Sequence, residues 1–183
     1  FRNKELLKNV SAERIFTELS KLLLGDNVFD VLTEYKEIIG VIIPELVPIF
    51  TCGQNTVWHI FDVYTHTAKT VEQSPRLLSL RLTMLLHDIG KDEQYESGIS
   101  HDVASERVAD AILGGMPDDV AFEQADAAAI KTAILGHRKL RVNSQPLERL
   151  LYAADKASRA CFACPARNAC NWSDDKKNLS IRV

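Results

Sequence analysis

An all-α fold is what this sequence predicts, and three observations predict it. Apolar residues recur at three- and four-residue spacing in one stretch after another, as in helices that bury a single side. No segment alternates apolar and polar residues convincingly enough to make a half-buried strand. Turn-forming residues fall between the periodic stretches, most clearly over 40–54, which carries Pro44 and Pro48.

Taken in order, Ser11 can cap a first helix whose Ile15, Leu19, Leu22 and Leu23 line one stripe, and Gly25 ends it. A second helix is expected over 28–39, followed by the turn-rich connector 40–54, a candidate boundary. Further helices are expected over 57–72, 77–87, 103–113, 122–135 and 147–160. The organisation expected is a small helical unit over 1–50, a helical bundle over 51–160 and a cysteine-containing polar tail over 161–183. There is no internal repeat and no low-complexity segment.

The 183 residues suffice for one to two compact units, and 46% apolar residues suffice for a substantial core. A net charge of −3 gives no global field favouring nucleic acid, but the charges are unevenly spread. Between Asp88 and Asp126 eleven acidic residues face two basic ones; between Lys131 and Arg167 eight basic residues face two acidic ones. The basic stretch either guides RNA or a nucleotide or forms solvated helix faces. No apolar run approaches the roughly 20 residues of a membrane span, since 38–50 is broken by Gly40, Pro44 and Pro48. A cytoplasmic protein is expected, with its four cysteines reduced rather than paired in disulfides.

The most informative feature is His87-Asp88 within Leu85-Leu86-His87-Asp88-Ile89-Gly90-Lys91. Imidazole nitrogen and carboxylate oxygen are both ligands for divalent transition metals. In a continuing helix the two side chains would diverge by about 100°. The helix must therefore end there, and Gly90 permits the sharp turn that aims both groups at one ion. His66 lies upstream, His101 and His137 downstream, and Asp155 sits in an otherwise apolar face of Leu147, Leu150, Leu151 and Ala154. A lone carboxylate buried there costs several kcal/mol unless paired or metal-bound.

The ordered set His66, His87-Asp88, Asp155 resembles the HD superfamily of metal-dependent phosphohydrolases. A closer resemblance lies in Gln54, His59, Asp62-Val63 and His66-Thr67. Their Q-x4-H-x2-D-V-x2-H-T pattern is similar to the HD domain of bacterial tRNA nucleotidyltransferases, the CCA-adding enzymes and their poly(A) polymerase relatives. The run from Asn9 through Leu19 to Gly25 also resembles the segment that precedes the HD domain in that family. The transferase site of the family, a Gly-Ser motif with paired Asp residues on a strand, has no match. Gly114-Gly115 and Asp118-Asp119 fall in a short loop between helical stretches. The chain is thus read as the C-terminal portion of a larger protein.

The resemblance implies His66, His87, Asp88 and Asp155 as metal ligands and Lys91 as the cation that neutralises a substrate phosphate. Asp88 can also bridge two metals or hold the attacking water. On a helix, His59, Asp62 and His66 share a face, so Asp62 can orient His66; His59 is read as a capping or interhelical group. His101, preceded by Ser100 where the family usually has Gly, and His137 complete a second metal's shell or contact the phosphate. For His137 the alternative is an imidazole stabilised at a helix C-terminus. Mixed imidazole and carboxylate ligands favour Mn, Fe, Co, Ni or Zn, with Mg less suited. Nucleotides, 2′,3′-cyclic phosphates and phosphomonoesters are the expected substrates, with tRNA as a partner if the domain serves instead as a tRNA-holding module. Regulatory hydrolysis of the ppGpp or dNTP kind is disfavoured by different flanking motifs. In the tail, Cys161, Cys164 and Cys170 form C-x2-C-x5-C, part of a zinc or iron–sulfur site if Cys52 folds back as a fourth ligand, and otherwise unligated thiols.

Overall fold

A computed structural model, described over residues 2–53, 60–116 and 124–179, gives the helices in chain order. They are α1 (Ala12–Leu24), α2 (Val28–Glu34), α3 (Lys36–Ile42), α4 (Val63–Glu72), α5 (Leu78–Leu86), α6 (Lys91–Ser97), α7 (His101–Gly114), α8 (Gln124–Gly136) and α9 (Pro146–Ser158). Short 3-10 turns lie at Lys4–Asn9, Pro44–Phe50 and in the tail, and no strand occurs among the described residues.

Helix α5 is the axis of the molecule. Every residue from Leu80 to Leu86 is buried, as expected of a helix that is apolar on all sides. It packs against α1, α4, α8 and α9. Its one buried cation, Arg81, donates from Nη1 to the carbonyls of Leu23 (2.5 Å) and Gly25 (3.3 Å), and from Nη2 to Ser74 (3.2 Å). The orphan carbonyls at the end of α1 are thereby satisfied from α5. Leu19, Leu23, Leu32 and Ile39 share one core with Leu82, Leu85 and Leu151, so the N-terminal helices are part of the same packed body.

Several expected elements change in detail. The 28–39 helix breaks at Tyr35 (φ −109°, ψ 23°), so that buried Leu32 and Ile39 reach the core from separate helices. The 40–54 connector is largely helical: α3 runs on to Ile42, and Pro44–Phe50 is a 3-10 helix burying Leu46 and Ile49. Pro44 stands at its first turn, where a missing N–H costs nothing. Helix α4 starts at Val63, after Asp62, whereas 57–59 lie outside the described residues. Helix α6 was not expected, because Lys-Asp-Glu-Gln-Tyr-Glu-Ser has no apolar stripe and buries none of its residues. Gly98, at φ 75°, closes it. Gly114 ends α7, and Asp118 and Asp119 lie outside the described residues.

Candidate metal centre

The site forms where α5 ends. Beyond Leu86 the chain tightens into three-residue turns, with Ile89 N–H donating to Leu86 O (3.2 Å) and Lys91 N–H to Asp88 O (3.1 Å). His87 and Asp88 are both almost fully buried as a result. Gly90 contributes differently from the expected sharp turn. Its φ of −90° is open to any residue, but a Cβ there would overlap the backbone of Ala104 and Ser105 on α7. Its N–H donates to Ser105 Oγ at 2.9 Å, so glycine lets α7 press against the turn and deliver His101.

Four histidines and two aspartates converge. His66 Nε2 lies 3.0 Å from Asp155 Oδ1 and 3.6 Å from Asp88 Oδ2, and His87 Nε2 lies 3.3 Å from Asp88 Oδ2. On the other side, Asp88 Oδ1 lies 3.6 Å from His101 Nε2 and 3.8 Å from His137 Nε2. Two groups result whose ligand atoms all lie within 4.8 Å of one another: His66, His87 and Asp88, and Asp88, His101 and His137. Asp88 belongs to both.

Each imidazole is held through its other nitrogen. His87 Nδ1 sits 2.6 Å from Met84 O, and His137 Nδ1 2.5 Å from Ile134 O. His101 Nδ1 is 2.8 Å from Gln94 Oε1. His66 Nδ1 is 3.2 Å from Ser158 Oγ, whose own proton goes to Asp155 O (2.7 Å). Carbonyl oxygens cannot donate, and the Ser158 hydroxyl has already spent its proton. The proton of His66, His87 and His137 is thus assigned to Nδ1, leaving a lone pair on Nε2. Gln94 imposes the same tautomer on His101 through its carbonyl oxygen. Oxygen acceptors on the outer nitrogen are the arrangement that fixes metal-ligating imidazoles.

Two atoms at the centre, His87 Nε2 and Asp88 Oδ1, are buried with no hydrogen-bond partner. Orphaned buried acceptors are rare and costly, and a cation between them removes the cost. A divalent metal therefore fits the residues present.

The local field has the same sense. Burial opposes ionisation of Asp88, but the neighbouring His87 and the Lys91 charge hold its carboxyl well below the usual range. Asp155 is likewise driven down, its burial outweighed by the adjoining His66 and the Arg159 charge. Burial lowers His87, but Asp88, with Asp155 and the Met84 carbonyl, raises it further, so the net direction is upward. Burial pushes His101 down to about 4 against the pull of Asp88, and it lowers His137 with help from His87. Lys91 Nζ, lowered by burial but raised on balance by Asp88 together with Asp155 and Tyr95, is 2.8 Å from Asp88 Oδ2 and lines the cleft.

One expected role is not met. Asp62 does not orient His66: its Oδ1 accepts Thr65 N–H (2.7 Å) and its Oδ2 accepts Thr65 Oγ1 (2.7 Å), making it the cap of α4. Ser158 occupies the position beside Nδ1 instead. His59 lies outside the described residues. Cys52 is buried beneath the start of α4, where burial pushes its thiol up, and does not line the cavity shared by Cys161, Cys164 and Cys170. Ser158, Gln94 and Arg159 were not singled out in the sequence. Arg159 pairs with Asp155, one turn away on the same side, a spacing that was legible. Ser158 and Gln94 are polar residues with no signal of their own.

The cleft above the site is lined by Lys91, Arg138, Arg159 and Lys176, with Tyr95, Tyr152 and Trp172 beside them. Arg138 Nη1 donates to Ser100 Oγ at 2.8 Å, tying it to the start of α7.

Family comparisons agree with this geometry. The HD domain model matches residues 56–160, more than half of the sequence, and the chain belongs to the HD-domain family. Residues 1–49 match a second model, described as the probable RNA and SrmB-binding site of polymerase A. The similarity to poly(A) polymerase and CCA-adding relatives thus extends to the N-terminal helices. An uncharacterized protein of Clostridium beijerinckii is 40% identical over 99 residues, 54% of this chain and 59% of that protein. The matched stretch thus spans little more than half of that relative's length. No solved structure matches. Among the described residues, no helix is long and apolar enough to cross a membrane.

Proposed function

We propose that the protein is a metal-dependent phosphohydrolase acting on nucleotides, 2′,3′-cyclic phosphates or phosphomonoesters. One observation carries this reading: four imidazoles turn bare Nε2 atoms toward the two oxygens of Asp88, each with its outer nitrogen held by an oxygen. His66, His87, Asp88 and Asp155 would hold one divalent ion, and Asp88, His101 and His137 a second. The nitrogen-rich set favours Mn, Fe, Co, Ni or Zn over Mg. Such ions supply an acidified water and neutralise charge on a phosphate ester.

The chain's own residues do the rest. Lys91, Arg138, Arg159 and Lys176 line the mouth of the cleft and favour an anionic substrate. Lys91 reaches into the site along Asp88 and meets the phosphate nearest the ligands. Tyr95 and Tyr152 offer flat apolar surface to a base or sugar. The domain is read as the HD part of a tRNA nucleotidyltransferase-like protein.

The second reading, a tRNA-holding module with an idle HD site, is favoured by the match of residues 1–49 to an RNA-binding model. Hydrolysis of a 2′,3′-cyclic nucleotide and of a generic phosphomonoester, with Mn, Ni or Co, separates the two. Activity that is lost in Asp88→Ala supports the hydrolase. Inactivity of the parent protein with metal bound sinks it in favour of the module.

A further inference from the structure

The tail beyond α9 contains no buried residue in any of its three 3-10 turns, Cys161–Ala163, Arg167–Ala169 and Asp174–Lys176. A segment without a core of its own is held only by what ties it down. Polar ties anchor its far end: Lys156 to Asp175 O, Arg159 to Lys176 O (2.7 Å), and Asn178 to the carbonyls of Ala157 and Arg159 (2.9 and 2.8 Å). Between these anchors and α9, Cys161, Cys164 and Cys170 all line one cavity, and no disulfide joins them. Three thiols cannot be consumed in pairs, so oxidation to disulfides does not explain the set.

We propose that this cavity holds an iron–sulfur cluster ligated by Cys161, Cys164 and Cys170. The C-x2-C-x5-C spacing places Cys161 at the start and Cys164 at the end of one 3-10 turn and Cys170 at the end of the next, so all three reach one cavity from one short segment. A single tetrahedral zinc, with Zn–S about 2.3 Å, draws its sulfurs to roughly 3.8 Å from one another. Among the described residues, neither group of ligand atoms gathered within 4.8 Å includes a thiol. A wider spread suits a cluster, which presents its irons at separate corners. The wall is suited as well. Arg159, Arg167 and Lys177 line the cavity and offset the negative charge of three thiolates and their cluster. Phe61 and Trp172 line it too, with Trp172 under the Arg159 guanidinium at 4.7 Å, giving the cavity an apolar wall beside its cations. Binding releases the three thiol protons, and the fourth iron corner takes a non-thiol ligand. This proposal is independent of the hydrolase reading, since His66, Arg159 and Trp172 form a wall common to the two cavities without any thiol entering the metal centre.

The test is to purify the full chain without oxygen, reconstitute it with equal amounts of ferrous and ferric iron and with sulfide, and measure bound iron, acid-labile sulfide and visible absorption. The expected result is about four irons and four sulfides per chain, with both the sulfide and the visible band lost in the Cys161→Ser/Cys170→Ser double variant. Those residues lie outside the core, so far-UV dichroism of the variant should match that of the parent. Iron held at the HD ligands brings no sulfide and is not confused with the cluster. The proposal is overturned by sulfide that persists in the variant, by a protein that takes up no sulfide, or by one equivalent of zinc that disappears with the same two thiols.

Discussion

His101 and His137 present their Nε2 atoms to each other at 3.3 Å, with the outer nitrogen of each ring already held, by Gln94 Oε1 and Ile134 O. Two lone pairs at that distance repel, and neither ring can turn without abandoning its acceptor. Burial lowers the proton affinity of both rings, so a proton is a poor bridge between them. A cation shared with Asp88 Oδ1 relieves the contact.

That relationship predicts the metal stoichiometry. Calorimetric titration with Mn is expected to show two equivalents in the parent protein. His101→Ala and His137→Ala should each retain one, held by His66, His87 and Asp155, whereas Asp88→Ala, which removes the shared carboxylate, should lose both. Two equivalents surviving in His137→Ala would mean that the His101 side is not a metal site.

Much of this centre was legible because its residues are chemically unusual where they stand. His87-Asp88 at the end of an apolar run and Asp155 within an apolar face each break the local pattern, and such breaks mark functional positions. What could not be read was geometry set by long-range packing. Asp62 looked like a partner of His66 on a helical face, but the helix begins after it, and its carboxylate is spent on Thr65. Helix α6 carries no apolar period at all and follows from the turn at Gly90 rather than from its own sequence. The Pro44–Phe50 segment looked like a linker because prolines exclude an α-helix, yet a 3-10 helix accepts them and buries Leu46 and Ile49.

Ser158 is the least conspicuous member of the centre. Its hydroxyl donates to Asp155 O and accepts from His66 Nδ1, so it fixes the tautomer of one ligand and lies one turn beyond another. Ser158→Ala should lower metal affinity about 10- to 100-fold, the usual cost of losing such a supporting bond. Ser158→Thr, which restores the hydroxyl, should recover most of it. Unchanged Mn affinity in Ser158→Ala, measured beside an unchanged melting temperature, would remove Ser158 from the site.

Gly90 separates two explanations for a glycine after a ligand pair. If backbone freedom mattered, alanine would be tolerated at φ −90°. Because α7 fills the space of the missing Cβ, Gly90→Ala should instead cost about 1–3 kcal/mol through overpacking. For a chain of this size the melting point falls roughly 2–4 °C per kcal/mol. The displaced α7 should also weaken the His101 side of the metal site. Gly114→Ala is the control: a Cβ there meets nothing within 4 Å, and the variant should be as stable as the parent or about 0.4–1 kcal/mol more so. Equal melting temperatures for Gly90→Ala and the parent would refute the close-approach account.

Tyr64 makes the fold sensitive to alkali. Its ring meets Phe50 edge-on at 4.5 Å, and its hydroxyl donates to Leu32 O at 3.0 Å, joining α4 to α2 in the core. Burial pushes its pKa well above the ordinary value of a phenol. A group whose pKa is raised by folding stabilises the folded state only below its unfolded pKa, here about 10. Above that pH the unfolded chain releases the proton and the folded chain keeps it, so Tyr64 subtracts about 1.4 kcal/mol of stability per pH unit until the folded phenol ionises. At neutral pH, Tyr64→Phe should cost about 1 kcal/mol, because Leu32 O is left without its donor. Between pH 10 and 11.5 the ordering should reverse, with the phenylalanine variant losing stability less steeply in urea titrations than the parent. Parallel pH slopes for the two proteins would show that Tyr64 ionises as easily in the folded chain as in the unfolded one.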